Sequence, residues 1–260
     1  MIDGPEYLDV GTGADARRIA VRKQSGTAPG IFWLGGFKSD MRGTKAEALS
    51  EHAARSGRAY VRFDYSGHGE SRGRFEDGTI TRWLEDARAV FESHAQGPQI
   101  AVGSSMGGWI ALLLARALAG RVAVKATLAG LVLIAPAPDF TEALMWNEFS
   151  PEVKREIGEN GSWQRPSAYG EEPYPITRAL IEDGRKHLLL DKPIELGCPV
   201  RILQGVQDPD VPYAHAMKLV SCLAQDDVVL TLVKDGDHRL SRPEDIERLL
   251  HTVDELAAGS

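Results

Sequence analysis

Cysteine is scarce in this chain. Its 260 residues hold two, Cys198 and Cys222, at a spacing that suits neither a metal site nor a redox pair. A disulfide framework is therefore not expected, and a reducing compartment is. No apolar run approaches the ~20 residues that a membrane-spanning helix needs. Long basic runs are also missing, and a net charge of −7 argues against nucleic acid or an anionic membrane as the main partner. The first residues, Met1-Ile2-Asp3-Gly4-Pro5-Glu6, have neither a basic region nor an apolar core, so the expected location is cytoplasmic. What the chain does have is 43% hydrophobic content, enough for one large α/β domain over residues 1–260.

The most informative stretch is Ile100-Ala101-Val102-Gly103-Ser104-Ser105-Met106-Gly107-Gly108-Trp109. An apolar strand, a Gly-x-Ser-x-Gly turn and an apolar helix make the pattern of a nucleophile elbow. Residues two before and two after the nucleophile crowd each other across such a turn, so both must be small. Gly103 and Gly107 satisfy this around Ser105, whereas Ser104 would be flanked by Val102 and Met106. Ser105 is the candidate nucleophile.

Around this stretch, apolar strands alternate with helices. Tyr7–Val10 and Arg18–Arg22 read as an antiparallel edge hairpin, and Ile31–Leu34, Ala59–Phe63, Leu131–Ala135, Val200–Leu203 and Val228–Val233 as further strands. Helical spacing runs from Thr44 to Arg55, closed by Gly57, and through Trp83, Leu84, Ala87, Val90 and Phe91, with Thr79 or Thr81 as cap. Ser241-Arg242-Pro243-Glu244 reads as a capping box. This rhythm predicts a mostly parallel, doubly wound sheet. It breaks at about 137–193, where an inserted helical cap is expected. The insertion is rich in Leu144, Met145, Trp146, Phe149, Trp163, Tyr169 and Tyr174. Trp146, Phe149 and Trp163 are the candidates for lining a substrate pocket.

A serine nucleophile needs a base and an orienting acid, in the order Ser, Asp or Glu, His. His238 follows a strand in a Gly-Asp-His loop, at the sheet edge where catalytic groups gather. His187, His215 and His251 fall in the cap or in helices, and His68 in a tight glycine loop. Asp208 and Asp210, after the Val200–Leu203 strand, are both candidates for the acid. Backbone N–H donors for an oxyanion are expected from Met106, opening the elbow helix, and from Phe37, after Gly35-Gly36. Asp208, Asp210, Asp235, Asp237 and His238 form an oxygen-rich group, but no metal-loop spacing is present. No metal or other cofactor is expected.

Taken together, Gly35-Gly36-Phe37, Asp64-Tyr65-Ser66-Gly67-His68-Gly69-Glu70-Ser71, the elbow, Gly205-x-x-Asp208-x-x-Val211-Pro212 and Gly236-Asp237-His238 resemble the serine α/β-hydrolases. Phe37–Ala46, Tyr60–Gly67 and Asp237-His238-Arg239 look most like the branch of mitochondrial palmitoyl-protein thioesterases, also described as acyl-glucuronide esterases, and its bacterial relatives. The resemblance implies an α/β-hydrolase fold, with Ser105, Asp208 and His238 as nucleophile, acid and base. Phe37 and Met106 would form the oxyanion hole. The implied partner is a small-molecule or acyl-protein ester or thioester. Serine at the elbow departs from the haloalkane dehalogenases, which use aspartate, and from the dienelactone hydrolases, which use cysteine. The N-terminus departs from the mitochondrial branch, lacking an Arg- and Ser-rich presequence. Two alternatives stand beside esterase activity: carbon–carbon bond hydrolysis on the same scaffold, and non-catalytic ligand binding.

Overall fold

A computed structural model describes residues 4–120, 125–166, 172–224 and 227–259, with Ala14 described by its backbone alone. Tyr169 lies outside the described residues. The strands are β1 (Glu6–Val10), β2 (Arg17–Gln24), β3 (Thr27–Leu34), β4 (Arg58–Phe63), β5 (Gly97–Ser104), β6 (Ala126–Ile134), β7 (Ser162–Arg165), β8 (Tyr174–Thr177), β9 (Val200–Gly205) and β10 (Val228–Val233). The helices are α1 (Thr44–Ser56), α2 (Ile80–His94), α3 (Met106–Leu118), α4 (Pro151–Asn160), α5 (Arg178–Gly184), α6 (Tyr213–Cys222) and α7 (Pro243–Ala258).

Eight strands form one sheet in the order β1-β2-β4-β3-β5-β6-β9-β10. β1 and β2 are the expected edge hairpin, and β2 also pairs antiparallel with β4; from β4 to β10 every neighbour is parallel. Parallel strands covered on both faces read as unbroken apolar runs, which makes Ile31–Leu34 and Leu131–Ala135 legible in the sequence, although β6 itself ends at Ile134. Alternation along β3 decides which face each side chain meets. Phe32 and Leu34 join a cluster with Trp83, Phe91 and Trp109 from α2 and α3. Ile31 and Trp33 join one with Leu49 and Leu249 from α1 and α7. The sheet is doubly wound, with α3 buried nearly all round at its centre.

Helix ends follow local chemistry. Gly57 closes α1 at φ 68°, donating to the carbonyls of Ala53 and Ala54. Thr79 caps α2 by accepting from the Arg82 N–H. Thr81 instead bonds Asp183 and His187 of the insertion, which decides between the two threonines. The expected Ser241–Glu244 box is displaced by one residue: Pro243 takes the first helical position, so Arg242 is the N-cap and Asp245 accepts its N–H.

The insertion between β6 and β9 is not purely helical. It holds a π-helical turn (Thr141–Trp146), α4, the antiparallel hairpin β7–β8, and α5. Ser150 caps α4 by accepting the Val153 N–H, and Pro151 takes the first helical position. Pro175-Ile176-Thr177 lies in the hairpin's second strand, and α5 starts after its cap Thr177. The two ends of the insertion are tied to each other, and one of them to the core. Asp139 accepts the N–H groups of Leu189 and Leu190 at 2.8 and 2.9 Å, and the Trp109 indole donates to the His187 carbonyl.

Beneath the sheet edge, Asp86 of α2 is fully buried. Its carboxylate accepts from Arg17 Nε, the Ser66 N–H and the Ser66 hydroxyl, joining β2, α2 and the loop after β4. Removing it would leave the buried Arg17 guanidinium only its exposed anionic partner Glu85 and strand the Ser66 N–H and hydroxyl. Asp86→Ala is expected to lower stability by about 3–5 kcal/mol in urea unfolding, and a loss below about 1 kcal/mol would show that the network contributes little.

Candidate active site

Register brings the expected residues to one edge. Leu34 pairs with Gly103, Ser104 with Ile134, Ile134 with Leu203, and Gly205 with Val233. The C-terminal ends of β3, β5, β9 and β10 are thus level, and the loops leaving them carry Phe37, Ser105, Asp208 and His238 respectively. Ligands bind at this edge in open α/β sheets because the helix N-termini and the loops converge there.

Ser105 has φ 54°, ψ −116°, a conformation that side chains rarely adopt. The glycines explain how it is held. A Cβ on Gly103 would lie 2.4 Å from the Gly107 carbonyl oxygen, and one on Gly107 would lie 2.1 Å from that of Leu34. No larger residue fits either place. The Ser105 N–H donates to Ile134 at 2.8 Å, and its carbonyl accepts from Gly108 and Ala137. Met106 is the first residue of α3, so its N–H has no partner one turn back and sits at the positive end of the helix.

The loop after β3 approaches closely. A Cβ on Gly36 would meet the Ser104 carbonyl oxygen at 3.3 Å and Ser105 Cβ at 3.6 Å. The next residue, Phe37, is fixed through its ring, which meets Phe75, Trp83, Phe140 and Tyr174 edge-on at centroid distances of 5.0–5.8 Å. Lys38, at φ 56°, donates its N–H to His68 Nε2 at 3.2 Å. His68 is buried, and burial lowers its pKa to about 4. It therefore stays neutral at physiological pH, with Nδ1–H toward the Ser66 carbonyl and Nε2 as acceptor. The sequence places His68 in a tight loop; its support of the backbone just after Phe37 becomes evident only in three dimensions.

His238 Nδ1 lies 2.8 Å from Asp208 Oδ2. A carboxylate only accepts, so Nδ1 carries a proton, and in the neutral ring the lone pair is on Nε2. Asp208 is held in turn. Its Oδ1 accepts the N–H groups of Asp210 and Val211 at 2.9 and 2.8 Å, and the Gln204 amide donates to Oδ2. The Asp208 side chain is 0% exposed, whereas that of His238 is 17% exposed. Of the two acids left open by the residues, Asp208 is the one bonded to the imidazole. Asp210 contributes its backbone N–H to Asp208, although its carboxylate also comes within 4.8 Å of Asp208 and His238. The larger acidic group separates: Asp235 pairs with Arg242, and Asp237 accepts the Leu240 N–H. In the three-residue group that remains, both Asp208 oxygens are already occupied by donors, which suits an orienting acid better than a metal ligand.

Ser105, Met106, Phe37 and His238 line one cavity of about 940 Å³. Its apolar wall comes from Phe140, Leu144, Met145 and Tyr174 of the insertion; a polar rim includes Lys38, Lys45 and Arg239. Trp146, Phe149 and Trp163 stand outside this lining. Phe149 packs on Trp163 at 5.3 Å, and the Trp146 ring is covered by Lys154 and Arg185. These three rings pack within the insertion, while its cavity-lining residues come from Phe140, from Leu144 and Met145 of the π-helical turn, and from Tyr174 of β8.

The alpha/beta hydrolase family matches residues 27–249. Among characterised proteins, mitochondrial palmitoyl-protein thioesterase ABHD10 of Homo sapiens is 38% identical over 243 residues, 93% of this chain and 77% of the relative. The Bos taurus protein of the same name gives the same figures. A solved structure from Agrobacterium vitis S4 shares 50% identity at a TM-score of 0.95, covering 97% of this chain and 98% of its own. Mouse alpha/beta hydrolase domain-containing protein 10 shares 34% at 0.86, covering 98% of each chain. The relatives overturn one expectation. They are named as mitochondrial, so the cytoplasmic location read from the first residues and the scarce cysteines does not stand. Composition describes the folded domain, whereas a compartment is specified by targeting segments that the fold does not need. With its sheet order, its elbow and these relatives in agreement, the chain belongs to the alpha/beta hydrolase family.

Proposed function

We propose that this protein hydrolyses carboxylic esters and thioesters of acyl groups through an acyl-enzyme on Ser105. The observation that carries the proposal is a strained elbow serine sharing a cavity with a histidine already bonded to a buried carboxylate. In this reading Ser105 Oγ attacks the acyl carbonyl while His238 Nε2 takes the hydroxyl proton. Asp208 holds the imidazole and stabilises the imidazolium that forms. The oxyanion accepts from the N–H groups of Met106 and Phe37. Collapse breaks the bond to the alcohol or thiol, which leaves with the proton from His238. Water, deprotonated by the same nitrogen, then attacks the acyl-serine; the acid departs and Ser105 regains its proton.

The relatives' name, palmitoyl-protein thioesterase, supports an acyl chain as the recognised group. The apolar wall supports the same: a cavity of about 940 Å³ is near the upper end of small-molecule sites, and Phe140, Leu144 and Met145 offer it hydrocarbon.

Ser105→Ala is expected to slow turnover of a thioester by roughly 10⁴ to 10⁶, and Asp208→Asn by up to about 10⁴ with the fold intact. Asp210→Asn should have a much smaller effect, since its backbone donation to Asp208 survives. Steady-state kinetics in which Asp210→Asn is the more damaged variant would move the acid to Asp210.

Chain length provides a second test. Each methylene buried in the transition state should raise kcat/KM roughly fourfold until the pocket is full. Leu144→Trp should move the optimum to shorter chains, whereas Trp146→Ala should leave it unchanged. A flat series from acetyl to palmitoyl thioesters, or an optimum moved by Trp146→Ala alone, would contradict the assignment of the apolar wall.

A further inference from the structure

Lys45 occupies a place that local chemistry disfavours. It is the second residue of α1, at the positive end of a helix whose N-cap Gly43 offers no side-chain acceptor. It is half-buried, and Arg239 stands beside it. Burial, then the Arg239 charge, lower its pKa from 10.5 to about 8, against the opposing pull of Asp237 and Asp245. Arg248 of α7 borders the same small void as Lys45 and Asp245. Asp40 and Arg239 share the cavity rim with it. A cation kept where helix, burial and a neighbouring guanidinium all oppose it points to a requirement elsewhere in the molecule.

That requirement lies in the histidine loop. Lys45 Nζ donates to the carbonyl of Arg239, the residue after His238, and to the Ser241 hydroxyl at 3.3 Å. Before His238, the loop is tied by the Gln207 N–H to the Gly236 carbonyl. After it, Leu240 sits at φ 42° with its N–H on Asp237, a backbone that costs energy and persists only when its surroundings fix it. The Arg239 carbonyl accepts from the Lys45 ammonium and from the Ser241 hydroxyl two residues on in the same segment. Lys45 reaches there from 194 residues away in the sequence. α1 follows directly on the segment that carries Phe37. A single ammonium therefore joins the oxyanion side of the cavity to the base side.

We propose that Lys45 is a positioning residue that holds the His238 loop in register with the elbow, acting through the Arg239 carbonyl. This rests on the esterase reading above and extends it. A charged donor makes a stronger bond to a carbonyl than a neutral amine does, so loss of the Lys45 proton loosens the clamp. kcat should then fall as pH rises through about 8, while the fold should not weaken. A lysine whose pKa is lowered on folding opposes stability while protonated, so its contribution improves between about pH 8 and 10.5. Activity and stability move in opposite directions over that window.

The experiment is the pH profile of kcat on one acyl thioester for wild type, Lys45→Met and Lys45→Arg, with thermal unfolding alongside. In Lys45→Met, kcat should drop about 10- to 100-fold with KM within about twofold, as for a small misplacement of a catalytic group. Its alkaline limb should vanish and its Tm should not fall. Lys45→Arg keeps its charge across the whole range, so it should restore most of kcat and also lack the limb. An alkaline limb near pH 8 that persists in Lys45→Arg, or wild-type kcat in Lys45→Met, would overturn the proposal; the arginine variant decides the matter should Lys45→Met fail to fold. Inactive wild type would instead refute the esterase reading itself.

Discussion

The backbone of Ser105 is the constraint on which the rest depends. A side chain at φ 54°, ψ −116° costs about 1–3 kcal/mol, and it survives only where neighbours leave the chain no alternative. Here the turn is locked by the close approach of Gly103 to Gly107 and of Gly107 to the end of β3. Those contacts require β3 and β5 to be adjacent, parallel and in their observed register. The sheet order, the burial of α3 and the loop carrying Phe37 all follow from supporting that turn.

Around the turn, buried polar groups do work that apolar packing cannot. Asp86 ties α2 to the loop after β4. Asp64 accepts the N–H groups of Met41 and Glu70 and so shapes the segment between Phe37 and α1. Burial pushes its pKa up, and the two backbone donors oppose that shift. His68 supports the backbone one residue beyond Phe37. Each satisfied group fixes a loop direction, and a loop direction is what a catalytic arrangement requires. Hydrophobic burial builds the platform, and directional bonds aim the residues that stand on it.

This division of labour explains what could be read in advance. Strands β3, β5 and β6 and helix α3 are continuous apolar runs, so their burial is written in composition. The smallness of its flanking glycines singles out Ser105 as the candidate nucleophile, a steric rule that needs no tertiary knowledge. The position of His238 after a strand makes it the candidate base, but the choice between Asp208 and Asp210 needs the resemblance, because both follow β9 and only geometry reveals which carboxylate meets the ring. The insertion was legible as an interruption but not in detail. The hairpin β7–β8 is short, and Trp163 within it has the same character as a pocket residue until its contact with Phe149 is seen. Leu144 and Met145 were recognised as apolar supply, yet their direction depends on a π-helical turn that shifts the usual spacing. Lys45 left a faint signal, a lysine at the start of a helix, and Asp86 left another, a carboxylate three residues after Trp83 on a helix's inner face.

The central claim is that Ser105 is the covalent nucleophile of this cavity. Peptide mapping by mass spectrometry after reaction with a fluorophosphonate tests it most directly. The predicted result is one phosphonate adduct per chain, located on Ser105 and not on Ser104. An adduct on another residue, or an enzyme that turns over thioesters yet takes up no label, would contradict the account.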